Sequence, residues 1–204
     1  MALSGTIEHT LRRQSVRKLY FAKILSESES GTVYDTPFPS PWTNAVKISP
    51  STESAEVWSD DVLAERIIMP GDISIEITKD SDAPEVHAEL LGHTYKDGEM
   101  IKNKNDVAPF FAVMYITEYS PGKYELECLY RVQFELPEKE RKTAEKTPAF
   151  VQQTYKGTAY PRIDNGAWER TKDRKAGEEG TLVPLTKEDI DAWFAAVPGG
   201  SEAS

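Results

Sequence analysis

The feature that most constrains the fold is a long run of alternating side chains that begins at Lys123. Acidic, basic and amide residues hold most of its intervening positions, and only Leu129 interrupts the order. Successive side chains of a strand point to opposite faces, so the run predicts one β-strand with a dry face and a charged face. It is more than twice the usual length of about five or six residues. The predicted dry face holds Tyr124, Leu126, Cys128, Tyr130, Val132, Phe134 and Leu136.

Further strands are indicated along the rest of the chain. VRKLYFAKIL, residues 16–25, predicts the first strand, and two short strands are expected at 44–49 and 53–58. In ISIEIT the isoleucines at 73, 75 and 77 alternate with polar residues, which predicts a half-buried strand. Residues 110–116 are apolar on both faces, so that segment is expected at the centre of a sheet.

Two helices are predicted. The first, from Asp82 to Gly92, would begin with Asp82 as the N-cap and end at a left-handed glycine. The second would begin at Thr186, because Asp189 three residues later forms an acidic version of the capping box. Its apolar residues recur at helical spacing and predict one buried stripe, made of Ile190, Trp193, Phe194 and Val197.

These elements predict a β-rich α+β domain with a short helix in the middle and a C-terminal helix. Residues 1–16 are polar and basic without a clear period, and they are expected to form a flexible N-terminal arm. The domain would then span 17–197, followed by a flexible tail at 198–204. Residues 59–70, which mix an acidic start with an apolar middle, are expected to form a long excursion from the sheet.

Charge and cysteine content narrow the classes of function. The chain has 34 acidic and 24 basic residues, for a formal net charge of -10. Such a surface repels nucleic acid phosphates, which disfavours a DNA-clamping role. The lone cysteine, Cys128, is expected to be a small buried hydrophobe in a protein that folds inside the cell. No apolar run is long enough to suggest a membrane span.

Catalytic and metal-binding patterns are weak. His87-Ala-Glu89 copies half of a zinc deaminase signature, but the Pro-Cys-x-x-Cys half is missing and the chain has one cysteine. No glycine-rich phosphate loop and no Gly-x-Ser-x-Gly elbow is present. We therefore expect no metal, no cofactor and no enzymatic activity, which leaves a structural or a binding role.

Several separated motifs keep a recognisable order. VYDTPFPSPWTNAVKISPSTESAEVWSDD comes first, GHTYKDGEMIKNKNDVAPFFAVMYI follows it, and KYELECLYRVQFELPEKERKTAEKT and GTAYPRIDNGAW come later. Together with the closing AWF helix, they resemble the major tail protein family of long-tailed, non-contractile bacteriophages. The resemblance covers roughly residues 17–197.

The resemblance implies a tail-tube-like β-sandwich or barrel that forms hexameric rings of itself. Stacked rings would make the tube through which DNA leaves the capsid, assembled around a tape-measure protein and closed by a tail terminator. The genome would pass without specific binding, and no membrane would be involved. The protein would belong to the virion tail after assembly in the host bacterial cytoplasm, and it would have no catalytic role.

Two surfaces follow as expectations. Carboxylates on the wet face of the long strand would line the bore and repel DNA phosphates; these are Glu125, Glu127 and Glu135. The alternative is a strand on the outside of the particle. The apolar excursion would bury itself on the next ring, or instead on its own domain. Its proposed stacking residues are Asp60, Asp61, Val62, Leu63, Ile67, Ile68 and Met69.

Two other functions stay open on the sequence. A carbohydrate-binding β-sandwich module would use exposed Trp42, Trp58 or Trp168 as a stacking platform for sugars. Another hexameric ring protein of a tail or secretion-tube machine would share the fold without forming long tubes.

Overall fold

Strands make up most of the chain in the computed structural model, which describes residues 15–59, 62–120, 123–138, 152–176 and 182–202. The strands are β1 (Ser15–Ser28), β2 (Gly31–Tyr34), β3 (Phe38–Pro39), β4 (Thr43–Ser59), β5 (Val62–Lys79), β6 (Thr94–Lys96), β7 (Glu99–Ile101), β8 (Phe110–Ser120), β9 (Lys123–Phe134), β10 (Gln153–Ala159), β11 (Glu169–Lys172), β12 (Arg174–Ala176), β13 (Leu182–Pro184) and β14 (Ser201–Glu202). The helices are α1 (Pro84–Leu91) and α2 (Lys187–Ala195).

One large sheet organises the domain. Its strand order is β14-β2-β1-β8-β9-β10-β5-β4, with β11 added to β9 and β3 added to β1. Every pair is antiparallel except β14 and β2, which run parallel. Two small hairpins, β6-β7 and β12-β13, lie outside this sheet. The prediction of a β-rich domain with two helices is confirmed; the sheet is sandwich-like, and it does not close into a barrel.

The sheet is packed on both faces. On one face it curls around a first core, because Val16 of β1 and Val46 of β4 pack against the same cluster although they lie at distant positions in the sheet. Leu90 and Leu91 of α1 belong to that core. The opposite face carries a second core, which α2 covers with Ile190, Trp193 and Phe194. Strands β8 and β9 contribute to both cores, so residues 110–116 are central, as predicted.

A β-bulge in β9 explains why Leu129 breaks the alternation. Val113 pairs with Leu129 and Phe111 pairs with Val132, so two steps along β8 match three steps along β9. The extra residue reverses which face the following side chains occupy. Before the bulge, Leu126, Cys128 and Tyr130 lie in the second core; Leu129 and the later apolar residues Val132 and Phe134 lie in the first. The prediction of a single dry face along the whole strand is therefore wrong.

Both predicted helices are present, but the N-cap predicted for α1 is wrong. The N-cap of α1 is Ala83, which makes no side-chain hydrogen bond to the helix. Asp82, the predicted cap, instead accepts a hydrogen bond from Lys79 at 2.6 Å. Gly92 ends α1 in the left-handed conformation, as predicted. The capping box of α2 is also confirmed, since Thr186 and Asp189 each satisfy a backbone amide of the other.

The chain ends differ from the prediction where they are described. Strand β1 begins at Ser15, so the last two residues of the predicted arm are strand, and residues 1–14 lie outside the described part. In the predicted tail, Ser201 and Glu202 pair with Val33 and Tyr34 of β2.

Replacing Gly92 with alanine should destabilise the domain by at least about 2 kcal/mol. The residue has a φ of 69°, and an added Cβ would lie 2.2 Å from the carbonyl oxygen of Val107. Gly98 is the matched control, because it has a φ of 83° but no atom within 4 Å of the added Cβ. Urea unfolding should show a clearly larger loss of unfolding free energy for Gly92→Ala than for Gly98→Ala. Equal losses would mean that the backbone near Val107 moves at no cost to accommodate the added Cβ.

Candidate assembly surfaces

A long β-hairpin projects from the edge of the sheet. Strands β4 and β5 pair from Thr43 and Lys79 to Ser59 and Val62, whereas β10 pairs with β5 only between Ile73 and Lys79. The remainder, residues 52–59 and 62–70, is called the distal ribbon here. Among the described residues its two strands pair only with each other. It spans about 26 Å if each of eight residues adds roughly 3.3 Å.

A bulge marks the point where the distal ribbon leaves the sheet. Pro50 pairs with Ile73 and Thr52 pairs with Pro70, so β5 contains one extra residue there. Gly71 lies in this bulge, and a Cβ added to it would be 2.5 Å from Oγ of Ser51. Bulges bend and twist a strand pair, and this glycine permits the close approach of the two strands at the bulge.

The predicted stacking residues fall on the distal ribbon or at its tip. Ile67 and Ile68 are 45% and 62% exposed. They are consecutive in a strand, so they face opposite sides of the ribbon, and both sides carry an exposed isoleucine. Val62, Leu63 and Met69 lie on β5, but their side chains, and the whole of Asp60 and Asp61, lie outside the described part. The described part of the excursion is thus a paired hairpin with register shifts, and the two short strands predicted at 44–49 and 53–58 are one continuous strand.

The three predicted bore carboxylates do not share a face. Glu125 and Glu127 precede the bulge of β9, and they lie on the same face of the sheet as Leu129, which belongs to the first core. Glu135 comes after the bulge and next to Phe134 of the first core, so it lies on the opposite face. Glu135 is exposed and Glu125 is half-buried. Glu127 is only 7% exposed. The expectation of one water-facing row is therefore wrong, and Glu127 does not face water.

Glu127 lies at a cavity of about 520 Å³ beside the uncovered edge of the sheet. Its carboxylate accepts hydrogen bonds from the hydroxyl of Tyr115 at 2.7 Å and from that of Thr117 at 2.6 Å. The cavity opens where β1 and β4 approach without pairing, which is also where the curled sheet stays open. The other lining residues are Ser15, Val16, Asn44, Ala45, Val46, Ile48, Pro50, Trp168 and Glu169.

A second polar cluster is buried near α1. The ammonium of Lys79, 1% exposed, donates to Oγ of Ser40 at 2.5 Å and to Asp82 at 2.6 Å. Burial raises the pKa of Tyr155, and the neighbouring Asp82 carboxylate raises it further, so the phenol stays protonated and donates to Asp82. His87 contacts the same phenol at 2.6 Å.

This cluster is not arranged as a nucleophile and base. A serine nucleophile needs a neighbour that can accept its proton, but the Lys79 nitrogen already donates to Ser40 while it is paired with Asp82. His93 bonds Asp106 at 2.7 Å, and no hydrogen bond joins it to a serine among the described residues. Within the described ranges, no group of three or more His, Cys, Asp or Glu side chains could hold a metal ion. The geometry of the cluster therefore supports a structural role.

The tryptophans proposed as alternative sugar platforms differ in exposure where they are described. Trp42 is 69% exposed with a φ of 65°, whereas Trp168 packs against the first core and lines the cavity at Glu127. The side chain of Trp58 lies outside the described part. Of the two described indoles, that of Trp42 is the freely accessible one.

Comparisons with known proteins do not identify the chain. No family model matches it, and no curated protein is similar to it. In the ranges that the structure describes, no helix combines the length and the apolar character needed to cross a bilayer.

Proposed function

We propose that the protein is the structural subunit of a bacteriophage tail tube, in which rings of six copies stack into a conduit for DNA. The distal ribbon is the observation that carries this proposal. An isolated two-stranded hairpin is only marginally stable in water, and this one extends past its last contact with the sheet while exposing Ile67 and Ile68. Packing against a neighbouring ring would supply the missing support.

The edge of the sheet supports lateral assembly as well. Strand β4 is the terminal strand of the sheet order, and no described strand pairs with its outer side along 17 residues. Long exposed edges tend to pair with other chains unless they are blocked. A neighbouring subunit in the same ring would cover this edge, as the resemblance to tail tube proteins implies.

The charge of the subunit suits a conduit for DNA. A net charge of -10 on each copy would repel phosphates and would keep a passing genome from sticking to the wall. Among the predicted bore carboxylates, Glu125 and Glu135 retain access to water. They lie on opposite faces of the sheet, so one of them at most faces a bore, and Glu127 has no part in this proposal.

Electron microscopy of the purified protein tests the proposal. Concentrated samples, with and without a tape-measure protein, should show hollow tubes built from rings with sixfold symmetry. Isolated rings that never stack would instead favour a tail completion or secretion-tube protein. Particles that stay monomeric under both conditions, and in particular monomers that bind glycans through Trp42, would contradict a tube-forming role.

A further inference from the structure

Trp42 is unfavourable for the free subunit in two respects. Its side chain is 69% exposed, and its backbone has a φ of 65°. A positive φ is rare for a bulky residue and costs free energy. Such strain is found preferentially at binding and catalytic sites, where the surrounding structure enforces it. Exposure and strain together therefore point to a role of the indole in contact with another molecule.

The loop before Trp42 holds this residue in place. Prolines at positions 37, 39 and 41 restrict its backbone. Between them, Phe38 packs against the first core, and the backbone N–H of the buried Ser40 donates to the carbonyl of Leu19 at 2.7 Å. The indole is thus presented by a preorganised loop, so a ligand that stacks on it loses little free energy to ordering the protein.

Three polar residues lie beside Trp42. The backbone N–H of Asp80 donates to the carbonyl of Trp42 at 3.0 Å. Oδ1 of Asp80 accepts hydrogen bonds from Nδ2 of Asn44 at 2.7 Å and from Nε2 of Gln152 at 3.1 Å. All three polar residues are exposed. The two amides fix the orientation of the carboxylate, and neither of them uses Oδ2, which can accept from a ligand.

An exposed indole next to these polar groups suits a neutral sugar. One face of a pyranose ring carries C–H groups, which pack on the face of an aromatic ring. Its hydroxyls both donate and accept, so they can donate to the Asp80 carboxylate in charge-assisted bonds and can also bond the amides of Asn44 and Gln152. The negative charge of Asp80 repels uronic and sialic acids, which leaves uncharged sugars as the ligand class.

We propose that Trp42, Asn44, Asp80 and Gln152 form a binding site for one neutral sugar ring. Trp42 is the stacking surface, and Asp80 is the acceptor for the ring hydroxyls. Every residue of the site belongs to one chain, so the free subunit binds the sugar whether or not rings and tubes form.

Nuclear magnetic resonance of the nitrogen-15-labelled monomer tests this site. The indole N–H signal that disappears in Trp42→Gly belongs to Trp42. Methyl α-mannoside, methyl β-galactoside and N-acetylglucosamine are titrated separately, and at least one of them should shift this signal with a Kd on the order of 1 mM. Sialic acid should leave the signal unchanged.

Two variants separate binding from folding. Trp42→Gly should weaken binding at least about tenfold, followed by the backbone amide signal of Asp80. Its thermal midpoint should not fall, because glycine adopts a positive φ without strain. Asp80→Asn should weaken binding about tenfold, because it replaces a charged acceptor with a neutral one. Asp97→Asn is the matched control, since Asp97 is exposed and asparagine tolerates its positive φ; its affinity should equal that of the wild type.

Other outcomes overturn the assignment. The site is refuted if none of the three sugars moves the Trp42 signal, or if Trp42→Gly binds as tightly as the wild type. A Trp42 signal that moves with protein concentration and not with sugar would show a contact between copies instead. None of these readouts involves tubes, so their failure leaves the proposed function untouched. Sugar binding by a protein that also forms tubes agrees with both proposals.

Discussion

A chain in which Asn-Gly replaces residues 52–70 is expected to fold normally and to lose tube formation completely. The pairing of β5 with β10, from Ile73 to Lys79, is untouched, and neither core includes a side chain of the distal ribbon among those that the structure describes. Asn-Gly is the preferred turn for closing a short hairpin. Circular dichroism and thermal unfolding should match the wild type, while electron microscopy and sedimentation should show only unstacked species.

Point substitutions make the same test less invasive. Ile67→Thr/Ile68→Thr keeps the hairpin but removes its exposed apolar surface. Burying one isoleucine is worth about 1.5 to 3 kcal/mol, so the concentration needed for stacking should rise at least about tenfold. Ile163→Thr is the control, because Ile163 is 53% exposed but lies outside the hairpin. Tubes that form at the usual concentration with the ribbon variants would exclude the distal ribbon as the ring contact.

The second large effect is expected at Lys79. Lys79→Met should lower the free energy of unfolding by about 3 to 5 kcal/mol, because it leaves the Asp82 carboxylate, 10% exposed, without its cation. Adding Asp82→Asn should recover part of the loss, since the neutral amide needs no charged partner. Urea unfolding followed by circular dichroism measures both changes.

Lys47→Met is the matched control for Lys79. Lys47 pairs with Glu76 at 3.5 Å, but the two side chains are 69% and 38% exposed. Exposed ion pairs contribute about 0 to 1 kcal/mol, so this variant should remain close to the wild type. A similar loss at both lysines would show that the removal of any lysine, and not the burial of its charge, sets the cost.

Local chemistry allowed much of the fold to be predicted. The capping residues Thr186 and Asp189 and the stripe that follows them predict α2 and its buried face, because both signals act within a few residues. The turn that connects β6 and β7 is built on Asp97 and Gly98, both with positive φ, and an Asp-Gly pair between two strands is a strong local signal for such a hairpin turn. The burial of Ile73, Ile75 and Ile77 likewise follows from strict alternation.

The wrong predictions concern the faces of β9, because one inserted residue changes which face the later side chains occupy. Leu129 was visible as a break in the pattern, but only its pairing with Val113 shows that the break is a bulge. Alternation separates two faces without saying what covers each one, so the burial of Glu127 could not be predicted. The residues that could have indicated this burial are Tyr115 and Thr117 on the neighbouring strand, whose hydroxyls donate to Glu127. The pairing register of β8 and β9 brings them together, and that register is seen only in the structure.

The bulge in β9 also has a consequence for the unfolding of the domain. On one side of it, Cys128 belongs to the layer beneath α2, and on the other, Val132 and Phe134 belong to the layer beneath α1. A single strand thus contributes side chains to both layers. We therefore expect the two layers to unfold together, so that a destabilising change in either layer lowers the stability of the whole domain.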